Sequence, residues 1–401
     1  MLYTHPAGRA PSSSVSASAR HAVYFNYARS HAGSVEDAAS YHGHARAGCA
    51  TGWPASLEPY AIMQRSSYLS SLDPARALGS STSGQELVRA ARHSGRLVLA
   101  AALTVPAVLG LASVALVEYV TAQLTGPSPR TDTAYTWTPF ETGVAWEDVR
   151  IPTQGGALLS GWLLPQEPGA PAILACGGYR GCRSDLLGIA SHLWRHGFAV
   201  LLFDYRGHGE LAGEPVTLGY RELEDARAAL AFLRRRLPGS PLGVIGYSMG
   251  AAVAIMVAAR EPDVRAIVAD SPFTSQREIV AWHVRRKLGP LTGLILTLVD
   301  RQLQKRYGYR FRDVEPLRDV ARLAPRPLLL IHGSRDTVIP LEHAQRIYAA
   351  AGEPKELWIT ETVHCGAYFQ DRPGYCARVV AFLEQALLDG HHAVGRATPA
   401  A

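Results

Sequence analysis

The chain has 401 residues, enough for one large domain with additional segments. Hydrophobic residues make up 47% and charged residues 18%, which excludes a wholly disordered or collagen-like chain. Forty Lys and Arg against 34 Asp and Glu give a mild +6, short of the concentrated basic stripe that nucleic-acid binding needs.

Residues 1–95 carry no sustained apolar period and are rich in Ala, Ser, Gly, Arg and His, which reads as a disordered segment. Met63 offers an alternative start, which would make the preceding stretch an over-extended translation. From Leu97 to Val117 the chain then runs 21 residues without a charge. At 1.5 Å per residue this is about 30 Å, the thickness of a bilayer core. Pro106 inside the run is better tolerated in a membrane helix than in a soluble one. A single transmembrane anchor is therefore expected over 96–119. A buried helix of a soluble domain and a cleaved signal peptide, with Ser113-Val114-Ala115 as its small-residue site, are the rivals. Arg89, Arg92 and Arg96 precede the run and Glu118 follows it, so the positive-inside bias places the N-terminus in the cytoplasm and the remainder outside. The Thr/Pro-rich stretch 120–142 reads as a linker.

Beyond residue 143 the pattern changes. Val149–Ile151 and Leu158–Leu164 flank a TQGG turn and predict an opening hairpin. Short apolar runs follow at Ala172–Ala175, Ala199–Phe203, Gly243–Gly246, Ala266–Ala269, Leu328–Ile331 and Glu356–Ile359. Between and after them lie amphipathic helices over about Ser184–His196, Glu222–Arg236, Ser248–Arg260, Leu341–Ala351 and Tyr375–Leu388. Buried runs alternating with helices predict an α/β fold, a mostly parallel sheet covered on both faces. The stretch 272–322 is too long for a simple crossover and is expected to be an inserted helical cap. The domain then spans 143–390, with a tail over 391–401.

Gly246-Tyr247-Ser248-Met249-Gly250 follows the apolar run LGVI and opens the helix AAVAIMVAAR. That strand-turn-helix context is what a GxSxG nucleophile elbow requires: the glycines permit a tight turn that pushes the hydroxyl of Ser248 into the cleft. Two partners follow in the order acid then histidine. Asp336 lies in HGSRDTVIP just past a strand's carboxyl end, where a parallel sheet places its site, and His364 lies on a loop after the last strand. A histidine is needed to take the serine proton near neutral pH, and a carboxylate to hold its tautomer. Asp270, at the end of an earlier strand, is the alternative acid. An oxyanion hole needs two N–H donors. One is expected at Met249, next to the nucleophile, and the other in the loop Cys176-Gly177-Gly178-Tyr179-Arg180-Gly181, at Tyr179. Cys365, beside His364, has no elbow to present it and reads as a packed thiol.

The pieces GGYRG, FDYRGHG, GYSMG, HGSRDTVIP and VHCG together resemble the alpha/beta-hydrolase superfamily, in its serine esterase, lipase and aminopeptidase-like branches. The resemblance covers about 250 residues, 143–390, and leaves the first 140 or so outside. It implies the alpha/beta-hydrolase fold with a Ser-His-Asp triad and no metal or organic cofactor, and it gives Asp204 and Arg206 a turn-stabilising role. The family often has His-Gly before the oxyanion residue; here Gly177-Gly178 stands there.

Within the cap, residues 277–312 hold nine Lys or Arg and two acids, Glu278 and Asp300, around the uncharged run Leu288–Val299. An apolar stripe with basic flanks suits a cap over an acyl pocket or against an anionic membrane surface. The reading is a membrane-anchored serine hydrolase, carboxylesterase or lipase-like, acting on a small-molecule ester or amide, with no nucleic-acid partner. An acyltransferase or peptidase using the same triad, and an inactive anchored scaffold, are the alternatives.

Overall fold

The computed structural model describes residues 82–127 and 137–388, which from Gly84 onward belong to one compact unit. Most of the segment expected to be disordered, the middle of the expected linker and the tail lie outside the described residues.

The opening hairpin pairs β1 (Glu147–Pro152) with β2 (Leu158–Leu164). Its turn closes through the Thr153 N–H on Ala157 O at 2.9 Å, with Gly156 at φ +80°, a backbone conformation that side chains disfavour. The sheet continues with β3 (Ala172–Cys176), β4 (Ala199–Phe203), β5 (Leu242–Tyr247), β6 (Val264–Asp270), β7 (Leu328–Gly333) and β8 (Lys355–Thr360). Its order is β1-β2-β4-β3-β5-β6-β7-β8, parallel from β4 onward, with β1 and β2 antiparallel at one edge.

The central strands are uniformly apolar because both faces are covered. In β3, Ala172, Leu174 and Cys176 point into one core layer, and Ile173 and Ala175 into the other. The first layer packs on α4 (Tyr220–Arg236) and α5 (Met249–Ala258), the second on α3 (Leu187–Arg195) and α11 (Arg372–Leu387). The remaining α-helices among the described residues are α1 (Thr82–Thr125), α2 (Pro139–Thr142), α6 (Gln276–Leu288), α7 (Thr292–Tyr307), α8 (Pro316–Asp319), α9 (Leu341–Ala350) and α10 (Ala367–Gln370).

α1 outruns the uncharged stretch at both ends. Residues 82–95, expected to lack structure, form its first turns; Gln, Glu, Leu, Ala and Arg there are good helix formers. Residues 120–125, expected to be linker, are its last turns and pack on the domain: Val117, Val120 and Leu124 join the first core layer. Thr121 and Thr125 are buried beside them and donate their hydroxyls to the carbonyls four residues back, at 2.7 and 2.8 Å. Ala102–Thr125 is long and apolar enough to cross a membrane by length and composition.

Between β6 and β7 stands the helical insertion. The run Leu288–Val299 is not one helix. It breaks at a 3-10 turn over Gly289–Leu291, where Gly289 has φ +52° and Pro290 has no N–H to donate. In α7, Ile295, Leu296, Val299 and Leu303 are buried and Leu294 is exposed, as is Leu291 in the turn before it.

Candidate active site

The carboxyl ends of β3, β5, β6, β7 and β8 converge on one edge of the sheet. Among the described residues five non-glycine positions have positive φ, and Arg180 (59°), Ser248 (56°), Ser271 (57°) and Cys365 (49°) are on the loops of this edge; Leu218 is the fifth. Backbone strain of this kind persists only where surrounding structure over-determines it, and it gathers at functional sites.

Ser248 occupies the sharp turn from β5 into α5, at φ 56° and ψ −117°. Its N–H donates to Asp270 O at 2.8 Å, and its carbonyl accepts the Ala251 N–H at 3.0 Å as the helix starts. The turn is this tight only because two neighbours lack a Cβ. A carbon added to Gly246 would fall 2.1 Å from Gly250 O, and one added to Gly250 would fall 2.1 Å from Cys176 O. Gly250 thereby seats the N-terminus of α5 directly against the loop after β3.

Ser248, His364 and Asp336 come together from three separate loops. His364 Nε2 stands 2.9 Å from Ser248 Oγ, and His364 Nδ1 stands 2.6 Å from Asp336 Oδ2. Asp336 Oδ1 accepts the Val338 and Ile339 N–H groups at 2.8 and 2.9 Å, which fixes the carboxylate in its turn. Neighbouring His332 is fully buried; burial lowers its pKa, and its Nε2 lies 2.8 Å from Ile339 O, so it orders the acid loop as a neutral ring. Burial opposes charge on His364 as well. The Asp336 carboxylate at Nδ1 opposes that effect, and the His364 pKa stands well above that of a free imidazole. Burial raises the Cys365 thiol pKa, so at neutral pH it stays protonated, and Asp336 is the anion that supports a proton on His364.

Asp270, the alternative acid, faces other groups. Its Oδ1 accepts the Ser271 hydroxyl at 2.9 Å and its Oδ2 the Tyr375 hydroxyl at 3.1 Å. Burial pushes its pKa up to about 6. Ser271 Oγ in turn accepts the Cys365 N–H at 3.3 Å, tying the histidine loop to the end of β6.

Met249 is the first residue of α5, where a helical N–H has no partner of its own. The Tyr179 N–H donates to no acceptor among the described residues. The side chain of Tyr179 turns away toward α1, with its hydroxyl 2.7 Å from Leu124 O. Asp204 accepts the Arg183 N–H and guanidinium, both at 2.7 Å, and Arg206 binds Asp225 through its N–H at 2.9 Å and its Nε at 2.7 Å. Both pairs brace the loop after β4. The roles of Arg180, Ser271 and Tyr375 at this edge escape sequence reasoning; the one local cue is that Arg180 follows the expected oxyanion residue.

A parallel sheet with helices on both faces, and a serine, histidine and carboxylate aligned at its carboxyl edge, define an alpha/beta hydrolase. The chain belongs to the alpha/beta-hydrolase superfamily. The family model described as serine aminopeptidase, S33, matches residues 170–322. A Mycobacterium tuberculosis protein described as uncharacterized, Rv2307c, is 37% identical over 215 residues, covering 53% of this chain and 69% of the relative. Escherichia coli YfhR, also described as uncharacterized, is 33% identical over 254 residues, covering 60% of this chain and 81% of the relative. Among solved structures, the Pyrococcus furiosus esterase Pf2001 is 28% identical with a TM-score of 0.53, covering 65% of this chain and 99% of that one. The protein is thus a member of a hydrolase family that has esterases among its similar structures.

Proposed function

We propose that the protein is a membrane-anchored serine hydrolase that cleaves a carboxylic ester through an acyl-enzyme. The observation that carries this reading is the continuous chain of contacts from Ser248 Oγ through both nitrogens of His364 to Asp336. Ser248 Oγ attacks the ester carbonyl carbon while His364 Nε2 takes its proton. Asp336 keeps the other proton on Nδ1 and stabilises the imidazolium. The Met249 and Tyr179 N–H groups receive the oxyanion. As the tetrahedral intermediate collapses, the alcohol leaves with the proton from His364. A water then gives its proton to His364, its oxygen attacks the acyl carbon, and the acid departs as Ser248 regains its hydrogen.

The membrane part of the proposal rests on α1 and the cap together. Glu118 accepts from Gln302 and Arg306 of α7 at 2.7 and 2.6 Å, and Thr125 Oγ1 lies 3.0 Å from Tyr307 Oη. These pairs advance in the same direction along both helices, so the α7 N-terminus lies toward the apolar half of α1. That end exposes Leu291 and Leu294 beside a groove of about 580 Å³ lined by Arg277, Arg285 and Leu296. Exposed apolar side chains with basic neighbours suit an anionic bilayer surface, which favours hydrophobic acyl esters over peptides. With Arg89, Arg92 and Arg96 on the cytoplasmic side, the hydrolase domain lies outside the cytoplasm.

Labelling of the full-length protein with a fluorophosphonate probe tests the chemistry. The expected result is one label, on Ser248, lost in Ser248→Ala together with several orders of magnitude in turnover. A label at another residue, or turnover retained in Ser248→Ala, rejects the proposal. Adding a competing alcohol distinguishes hydrolysis, with free acid as product, from acyl transfer.

A further inference from the structure

We infer that α1 is a working part of the active site: its C-terminus grips the side chains of Tyr179 and Arg180 and so sets the position of the oxyanion loop. This rests on the serine-hydrolase reading above, in which the Tyr179 N–H receives the oxyanion.

The last four carbonyls of a helix have no partner within it. In α1 these belong to Ala122, Gln123, Leu124 and Thr125. Ala122 O accepts the Gly126 N–H at 2.7 Å. The body of the hydrolase satisfies the other three. Gln123 O accepts from Arg180 Nη2 at 3.0 Å, Leu124 O from the Tyr179 hydroxyl at 2.7 Å, and Thr125 O from the Val216 N–H at 3.3 Å. Arg180 Nη2 also reaches Gly126 O at 3.1 Å. A guanidinium is favoured at this end by the helix dipole as well as by its hydrogen bonds. Its carbon lies 4.9 Å from the centre of the Tyr179 ring, so the two side chains reach the helix as one stacked unit.

The backbone of the same loop is held just as firmly. Arg180 is in the left-handed region at φ 59°, a conformation that an arginine adopts only when held there. Its N–H donates to His208 Nε2 at 3.0 Å, and His208 Nδ1 lies 2.9 Å from Arg206 O. Burial lowers the His208 pKa, so the ring is neutral and can accept on Nε2 while donating from Nδ1. Gly250 packs against the carbonyls of Cys176 and Gly177 on the near side of the loop. The Tyr179 N–H therefore sits in a segment clamped by α5, by His208 and by α1. Of these, α1 is the element that continues into the apolar run. A helix serving only as a tether would leave its terminal carbonyls to solvent or to a following turn. Here the loop that carries the expected oxyanion donor caps the helix, and a shift of α1 is transmitted to the Tyr179 N–H.

The test uses the full-length protein in detergent micelles, with a short-chain ester and a fluorophosphonate probe. Tyr179→Phe removes a single oxygen, Arg180→Gln removes the charge, and Gly126→Val acts from the helix side. A carbon added at Gly126 would lie 2.5 Å from Ala122 O and 3.3 Å from Arg180 Nη2. Each variant is expected to lower kcat by about tenfold or more, with KM changed by less than about threefold. The rate of Ser248 labelling should fall in proportion. The midpoint of the acid limb of the pH profile should stay in place, because His364 and Asp336 are untouched. Arg180→Lys, which keeps a charged donor, should recover part of the loss. Variants that only lose thermal stability, with kcat per labelled Ser248 unchanged, overturn the inference. So does a parent protein labelled at Ser248 whose three variants label at the parent's rate, and that result leaves the hydrolase reading intact. A parent that takes no label at Ser248 removes the hydrolase reading and this inference together.

Discussion

The Tyr375 hydroxyl stands 3.1 Å from Asp270 Oδ2, while the other carboxylate oxygen of Asp270 accepts the Ser271 hydroxyl at 2.9 Å. These two contacts engage both oxygens of the carboxylate at the end of β6, and His364 Nδ1 is hydrogen-bonded to Asp336 instead, although by sequence Asp270 competes with Asp336 as the acid.

Asp336→Asn is therefore the damaging change. An Asn there holds the wrong tautomer of His364, and kcat is expected to fall by about 10⁴-fold with little change in the circular-dichroism spectrum. Asp270→Asn keeps one acceptor oxygen for one of the two hydroxyls and presents an N–H to the oxygen of the other, and it should retain kcat within about tenfold of the parent. Steady-state kinetics on both variants decides between them; the reverse order would assign the acid to β6.

The pH profile follows from the environment of His364. Only the neutral ring can take the Ser248 proton. Burial disfavours the imidazolium, but the Asp336 carboxylate opposes this and the pKa is raised. The acid limb of kcat/KM is thus expected above about pH 6.5, the value of a free imidazole. Residual activity in Asp336→Asn should show that limb displaced to lower pH. Linkage gives the same sign for stability. The folded state holds the His364 proton more tightly than the unfolded one, so this group's contribution is full below about pH 6.5 and is lost as pH rises through the folded pKa. Asp270, held up to about 6, also binds its proton more tightly when folded, and its contribution fades from about pH 4 to 6. Thermal melts across this range check both trends.

Gly250→Ala places a carbon 2.1 Å from Cys176 O. Backbone must give way, because no flexible side chain is involved. α5 then separates from the loop after β3, and the two expected oxyanion donors move apart. A loss of about 1–3 kcal/mol in stability is expected from the overpacking. The accompanying fall in kcat should exceed about 10²-fold, as for a lost oxyanion donor. Denaturant unfolding and turnover measured together test this, and an Ala variant with parental kcat would show that the close approach has no bearing on the chemistry.

Membrane topology and the cap give a separate test. Protease added to intact cells, with any outer barrier opened, should cut the hydrolase domain and leave α1 in the membrane fraction. Replacing Arg285, Arg286 and Lys287 with Gln should weaken binding to anionic vesicles at low salt, an effect that added salt screens. Leu291→Ser with Leu294→Ser should raise KM for long acyl esters more than for short ones, since each buried CH₂ contributes about 0.8 kcal/mol. Equal effects on acetyl and long-chain esters, or full protection of the domain in intact cells, would reject this placement.

The sheet is legible in the sequence because each central strand is apolar on both faces and the connecting helices are apolar on one, or all round in the fully buried α5, and such patterns are local. The place of Ser248 is legible for the same reason: Gly246 and Gly250 are within two residues of it, and no other residue type lets the elbow close. The ends of elements are less so. Residues 82–95 are interrupted by Glu86, Arg89 and Arg92, and residues 120–125 lie beyond Glu118 with polar Thr and Gln among them, so neither continues the apolar run, yet both are helical, the latter because Val120 and Leu124 find a surface in the hydrolase core. The break at Gly289-Pro290 is written in those two residues but is masked by the continuous hydropathy around them.

What the amino-acid sequence determined by itself is the set of reactive groups and the strand ends that carry them, since strand, turn and helix are each specified within a few residues. Which carboxylate faces His364, and what the end of α1 holds, only the tertiary structure decided. Tyr375 is 105 residues from Asp270, and Tyr179 is 55 from Leu124. Hydrogen bonds over such separations form only after the sheet has brought its carboxyl edge together, and pattern along the chain carries no record of which donor will then meet which acceptor.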